Sequence, residues 1–285
     1  MILVSHETPI AYQYSEKDQN RYSTAHWNDY EYALVHLFEQ YPNYFDYFKN
    51  VVDKGAEVML DNSMFELKKA FNKERYIQWI DKLNPTCYIV PDVMDDAFST
   101  MDLFESWLDT ANTAVQTNSM LMGVVHGKTY QELVDCYKYM VDNADYIAFS
   151  YVEKYFELVG WQKWGNTAHV MRQKQASGRQ AFISRLIDDG IWNEERPHHL
   201  LGCALAREFT YYVEQGVKGI RSIDTADPIM AALQGKTYLL GIGLNDKPQG
   251  LLADNVNVEY KDDIARLMFY NTQIFKQLIN RKVKI

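Results

Sequence analysis

Cysteine, proline and glycine are all scarce in this chain, at 3, 7 and 14 of 285 residues. The three thiols (Cys87, Cys136 and Cys203) are too few and too scattered for a disulfide framework or a Cys₄ zinc site. Two of them fall in expected strands or helices and read as buried structural thiols, and the expected compartment is a reducing cytoplasm. There is no HExxH motif and no His pair at helical i, i+4 spacing. No glycine-rich fingerprint follows the first apolar run, which weakens a dinucleotide-binding reading. The opening stretch MILVSHETPI lacks a basic flank and reads as no signal peptide, and no apolar run approaches membrane-spanning length, so no membrane partner is expected. Basic residues are in the minority, 29 against 38 acids for a net charge of -9. That gives no support to a broad nucleic-acid-binding face, although a local basic patch can sit on an acidic protein. With no low-complexity tract or Pro/Gly-rich linker, residues 1–285 read as one domain.

What the chain has in quantity is aromatic side chains: 21 Tyr, 13 Phe and 6 Trp. Such rings fill cores and also stack on nucleobases. Short, continuously apolar runs recur, each with a polar or acidic end: MILVSH (1–6), AEVMLDN (56–62), CYIVPDV (87–93), SMLMGVVHG (119–127), DYIAFSY (145–151), HHLLGCA (198–204) and GIRSIDT (219–225). Continuous apolar character suits strands buried on both faces of a parallel sheet. Helical patterns separate the runs. Leu133, Tyr137, Met140 and Val141 share a face in 129–142 behind a Thr129–Glu132 capping box. Phe104, Trp107, Leu108, Ala111 and Val115 form a second stripe, and Asp227-Pro228 opens a helix reaching Leu233. A helical insertion is expected at 152–196 and an amphipathic C-terminal helix from 261. Seven strand–helix units are visible, with the eighth strand placed in 237–243 or 251–258. The expected fold is an α/β (β/α)8 TIM barrel with parallel strands.

In such barrels chemistry gathers at the C-terminal ends of the strands. Those ends carry His6 and Thr8, Asp61 and Asn62, Asp92, His126, Ser150, Cys203, and Asp224 with Thr225. Each acid has a structural alternative: an Asx turn for Asp61, a helix cap for Asp92, and a turn hydrogen bond for Asp224. Asp95, Asp96 and Asp227 read as caps and solvated charges, and His198-His199 as structural residues. Three carboxylates and a His also suit a metal, so a metal-dependent TIM-barrel hydrolase is an open alternative.

The ordered set LDNSMFEL, IVPDVMDD, GVVHGKTYQEL, HHLLGCA and RSIDTADPI resembles the tRNA-guanine transglycosylase superfamily over roughly residues 55–235. It is closest to the phage and bacterial DNA transglycosylases that insert 7-deazaguanine derivatives, as in a queuosine-like DNA modification. The resemblance implies roles residue by residue. Asp224 matches the nucleophile, although the family's following Arg-rich segment is replaced by Thr-Ala-Asp-Pro. Asp61 matches the general acid/base of an Asp-Ser-Gly-Gly-Phe motif that here reads Asp-Asn-Ser-Met-Phe, without the glycines, and Asn62 joins it at the substrate. Asp92 matches the acid that holds the guanine edge. His126-Gly127 stands where the family has Gln-Gly and implies a donor near the base carbonyl. Phe149 and Ser150 fall where backbone groups contact the base, and Gly202 lies in a stretch similar to the family's Leu-Met-Gly strand.

The tRNA enzymes' zinc module, three Cys and a His, has no counterpart after Cys203, so no zinc-binding subdomain and no metal are expected. This favours DNA over tRNA as the polymer partner, with tRNA the alternative. The implied reaction is exchange of guanine for a 7-deazaguanine base through a covalent Asp–sugar intermediate, with no cofactor. Phe65, Phe149 and Tyr151 are aromatic candidates to stack on a flipped base. Lys154, Lys163, Arg172, Lys174, Arg179 and Arg185 make 152–196 locally basic and are candidate nucleic-acid contacts. The deazaguanine inserted, and any partner protein that adds DNA grip, are left open.

Overall fold

A computed structural model describes residues 1–14, 22–151, 155, 168–203, 205–244 and 248–280, with the backbone alone at 168–172. Among the described residues, strands and helices alternate. The order is β1 (Leu3–Ser5), α1 (Thr24–Trp27), β2 (Glu31–Leu34), α2 (Val35–Gln40), α3 (Pro42–Asp53) and β3 (Val58–Asp61). It continues with α4 (Met64–Leu67), α5 (Lys73–Leu83), β4 (Cys87–Ile89), α6 (Ala97–Thr113), β5 (Met120–Val125), α7 (Tyr130–Asn143) and β6 (Tyr146–Ser150). Then come α8 (Ala168–Asp188), β7 (His198–Leu201), α9 (Arg207–Glu214), β8 (Ile220–Asp224), α10 (Asp227–Leu233) and α11 (Asp262–Ile279).

The eight strands form one sheet in the order β1-β8-β7-β6-β5-β4-β3-β2. The pairings β1–β8, β2–β3, β3–β4, β4–β5 and β5–β6 are all parallel. This is a nearly closed (β/α)8 TIM barrel, as the alternation of apolar runs and helical stripes predicts. By backbone proximity the chain groups into two compact units. One comprises Met1–Asp29, Lys154–Glu195 and Leu200–Ile285, and the other Tyr30–Glu153 with Arg196–His199.

Seven strands fall inside the seven apolar runs, but the eighth is elsewhere. It is β2, whose last residue, Leu34, is also the N-cap of α2, so no turn residue separates strand from helix. EYALVHLF therefore reads as one unbroken apolar stretch, which periodicity cannot divide. The expected location at 237–243 holds only an isolated Leu239–Gly243 bridge, with Gly241 and Gly243 at positive φ. In 251–258 the chain makes a 3₁₀ turn over Leu252–Asn255 instead.

Within the Tyr30–Glu153 unit the strands are packed with rings. Tyr32 stacks on His199 at 5.6 Å, and Tyr30 and Tyr146 meet the same imidazole edge-on. Successive strand residues face opposite ways. His198 accordingly lies on the other side of β7, stacked on Tyr137 and Phe149, with its Nε2 3.1 Å from the Tyr137 hydroxyl. Both histidines are structural, as read from their place at the start of the strand. Thr129 caps α7 by accepting from the Glu132 N–H at 3.2 Å, while the Glu132 carboxylate accepts from the Lys128 N–H at 2.8 Å. That is the capping box shifted by one residue on its return arm.

In the other unit Tyr12, Trp27, Ile229, Met230, Ala265 and Met268 form a core under α10 and α11. Asn280, just past α11, brackets Ile2 by accepting from its N–H (2.9 Å) and donating to its carbonyl (3.2 Å), tying the helix end to the foot of β1. Among the described residues no helix is long and apolar enough to cross a membrane.

Candidate active site

The ends of β3, β4 and β5 carry one hydrogen-bonded cluster. Asp61, the last residue of β3, is half-buried. Its Oδ2 accepts from the Tyr32 hydroxyl at 2.5 Å, and its Oδ1 accepts from the Ser63 backbone N–H. The second bond is the Asx turn expected as the structural alternative, so Asp61 shapes its own loop while presenting a carboxylate at a strand end. Ser63 adopts a left-handed conformation (φ 59°) at a place where the resembling family's motif has glycine. Its Oγ accepts from the His36 N–H (3.3 Å) and lies 2.8 Å from His36 Nδ1. Burial lowers the pKa of His36, which favours the neutral imidazole.

Asn62 points to the next strand. Its amide donates to Asp92 Oδ1 (2.7 Å) and to the Val90 carbonyl (3.1 Å), and its oxygen accepts from the Met64 N–H (3.0 Å). Asp92, 5 % exposed, accepts on its other oxygen from His126 Nε2 at 2.7 Å. The helix-cap alternative for Asp92 does not hold: Asp96 caps α6, accepting from the Ser99 N–H at 3.0 Å. His126 Nε2 lies 2.7 Å from Asp92 Oδ2, so the imidazole is tied to the neighbouring strand-end acid. Gly127 is held small by α7, because a Cβ there would lie 2.8 Å from the Leu133 nitrogen. Beneath the cluster the Tyr76 hydroxyl donates to the Ile89 carbonyl (2.7 Å), and its pKa is raised by burial and by the charge of Asp61.

A second cluster lies at the ends of β7 and β8. Asp224 is 5 % exposed, and its Oδ1 accepts from the Gly202 N–H at 3.0 Å. That bond comes from the neighbouring strand's end, not from Asp224's own turn. The turn is fixed instead by Thr225, whose N–H donates to the Ser5 carbonyl (3.0 Å) and whose Oγ1 donates to the Cys203 carbonyl (2.7 Å). Thr225 Oγ1 also accepts from the Asp227 N–H at 3.1 Å. Gly202 has φ +62°, where a side chain would be strained. Burial, then the Glu208 charge, raises the Cys203 thiol well above its usual pKa, so it is not a thiolate nucleophile.

His6 is buried behind β1 against Phe275, with Nδ1 3.3 Å from Asn28 Oδ1. Burial and the nearby Lys276 lower its pKa to about 3, so it is a neutral core residue.

Other expected contacts sit differently. Phe149 is fully buried between Tyr137 and His198, and Tyr151 is also buried, so neither ring can stack on a base in this conformation. Ser150 is half-buried at the end of β6. Phe65 is 40 % exposed, with Lys68 Nζ 3.7 Å above its ring.

Of the six basic candidates, Lys154 and Lys163 and the side chain of Arg172 lie outside the described residues. Lys174 and Arg179 require correction: they are 1 % and 0 % exposed and cannot reach a phosphate backbone. Arg179 pairs with buried Glu208 at 2.6 Å. Arg185 is exposed, with Asp189 3.8 Å away. Sequence reasoning missed Tyr32, His36 and the inward course of Arg179. The last left a signal, since Ala176, Phe182, Ile183 and Leu186 are all buried at −3, +3, +4 and +7 from it, a helical stripe with Arg179 in its centre.

Among the described residues, no group of three or more His, Cys, Asp or Glu side chains is placed to hold a metal ion. No family model matches the chain, and no curated protein matches it.

Proposed function

We propose that this protein is a guanine transglycosylase that exchanges guanine in DNA for a 7-deazaguanine base. The observation that carries the reading is Asp92, a buried carboxylate at a strand end whose two oxygens are aimed by Asn62 and His126. A carboxylate oxygen has two acceptor sites, so each keeps one for a ligand after its protein bond. Two parallel acceptors match the N1–H and N2–H₂ donors of a guanine-like edge. Adenine lacks that pair, and a desolvated polar site of this kind discriminates by about 10⁴-fold.

In this reading Asp224 Oδ attacks C1′ while the C1′–N9 electron pair leaves with guanine, giving a sugar ester of Asp224. Asp61 enters this step as the neutral acid, and its proton passes to the departing base, leaving the carboxylate that Tyr32 and the Ser63 N–H hold. It then takes a proton from the incoming 7-deazaguanine, whose ring nitrogen attacks C1′ and frees the Asp224 carboxylate. The target base has to be flipped or presented single-stranded, at a cost of a few kcal/mol. Of the three aromatic candidates, Phe65 is the exposed one, lying just after the Asp61 loop with Lys68 over one face of its ring.

The test is guanine release from labelled DNA and, separately, from labelled tRNA in the presence of a 7-deazaguanine base, with wild type and Asp224→Ala. Release from DNA by wild type alone supports the proposal. Release from tRNA only keeps the chemistry and overturns the substrate. No release from either by folded protein overturns base exchange.

A further inference from the structure

β7 ends at Leu201, and at Gly202 the chain turns through a left-handed conformation and leaves the sheet. Ladder hydrogen bonds no longer dictate which way the Leu201–Gly202 peptide points, yet its N–H is the group that meets Asp224. The guanidinium of Arg179, on α8, sits behind this peptide. Nε and Nη2 donate to the two Glu208 oxygens at 2.6 and 2.9 Å. Nη1 donates to the Leu201 carbonyl at 2.9 Å and Nη2 to the Gly202 carbonyl at 3.0 Å. Glu208 is itself held by the Tyr212 hydroxyl at 3.0 Å.

One peptide unit is therefore engaged at both ends, its C=O by Arg179 and its N–H by Asp224. In a trans peptide these groups point in opposite directions, so guanidinium, peptide and carboxylate form a chain. A donor on the carbonyl polarises the amide and strengthens its N–H. We propose that Arg179 is a positioning residue for Asp224, acting through the Leu201–Gly202 peptide to fix the direction and strength of the N–H that holds the carboxylate. Its catalytic consequence rests on the reading of Asp224 as nucleophile; the structural link does not.

A buried ion pair is a poor device for stability alone, since apolar residues of similar volume commonly serve as well or better. Here the fork also reaches two carbonyls at a bend, which no apolar pair could bond. The titratable groups that act on this chain are Glu208 and Tyr212 on α9, Cys203 after β7 and Asp227 on α10. Tyr212 and Cys203 are raised well above their usual values, first by burial. These two stay neutral near pH 7, and Arg179 offsets Glu208.

The experiment compares wild type with the double variant Arg179→Met/Glu208→Met, which leaves no buried charge unpaired, and with Arg179→Lys, which keeps the charge but not the fork. Fold is checked by circular dichroism and urea melting. Hydrogen exchange of the Gly202 amide is followed by NMR, and guanine release gives kcat and KM. The folded double variant is expected to lose Gly202 amide protection at least tenfold and to lose 10- to 100-fold in kcat with KM within twofold, with Arg179→Lys intermediate. A purely structural role would change melting without this local loss. A folded double variant with a fully protected Gly202 amide overturns the proposal, and so does wild-type kcat in that variant. If wild type releases no guanine, the reading of Asp224 has failed, and the Gly202 amide still decides whether Arg179 orders that peptide.

Discussion

Ser63 offers a test of the site's loop whose sign, and not merely its size, is informative. Its backbone is left-handed, and its N–H holds Asp61 while its hydroxyl joins His36. An L-residue in that conformation costs about 1–2 kcal/mol that glycine avoids. Against this, glycine loses about 0.4–1 kcal/mol relative to alanine through the greater freedom of its unfolded chain. Ser63→Gly should therefore be more stable than Ser63→Ala by roughly 0.8 kcal/mol, within a range of about 0 to 1.6. At an ordinary extended or helical position the order would be reversed.

Both variants lose the hydroxyl and leave the buried His36 N–H without its acceptor, which costs about 1–3 kcal/mol. Both should thus fall below wild type, with alanine lower. Urea unfolding of the three proteins, read by tryptophan fluorescence with equal m-values, measures the gap directly. Alanine clearly more stable than glycine would refute the left-handed assignment and, with it, the account of how Asp61 is held. The backbone N–H survives both substitutions, so guanine release by Ser63→Gly should remain within severalfold of wild type.

Three further outcomes follow from the same geometry. Tyr32→Phe keeps the stack on His199 but removes the donor to Asp61, so base-exchange kcat should fall about tenfold with little change in melting, a loss near 1.4 kcal/mol for one hydrogen bond to a charged group. Gly127→Ala forces a Cβ to 2.8 Å from the Leu133 nitrogen, where backbone cannot yield cheaply, and should destabilise by roughly 1–3 kcal/mol in thermal or urea melts. His6, at about 3 in the folded protein against 6.5 unfolded, contributes stability that is full above pH 6.5 and declines as pH falls towards 3. Between pH 7 and 5 the loss is about 2 kcal/mol, and a folded His6→Gln variant should show that much less pH dependence in urea melts.

Seven of the eight strands were legible because each is an apolar run ending in a polar residue, the mark of a strand buried on both faces of a parallel barrel. β2 was not, because Glu31–Leu34 passes into α2 without a glycine, proline or Asx residue to punctuate it. The acids were legible by place. Their partners were not, since Tyr32 precedes Asp61 by 29 residues and Arg179 precedes Glu208 by 29, and only the register of the sheet and the packing of α8 bring them together. Composition also misled on α8. A lysine or arginine looks the same in sequence whether it is solvated or turned inward, and only the apolar stripe around Arg179 distinguishes the two.

The three acids differ most in how each is held, and the differences match the roles proposed for them. A group that recognises a base should be dry and immobile, because an unpaired desolvated acceptor is what rejects the wrong ligand. Asp92 is buried and clamped by two side chains from neighbouring strand ends. A group that passes protons to successive bases has to exchange with its surroundings. Asp61 is the more exposed acid, and a phenol hydroxyl that is itself able to carry a proton is its partner. A nucleophile needs to be steadied along a fixed line of attack. Asp224 Oδ1 accepts from the Gly202 N–H, whose peptide is anchored on the far side by the buried Arg179 guanidinium. Exchanging Asp61 and Asp92 in this scheme would put the proton carrier in the dry clamp and the recognition acid at the more exposed end, which is why the assignment runs as it does.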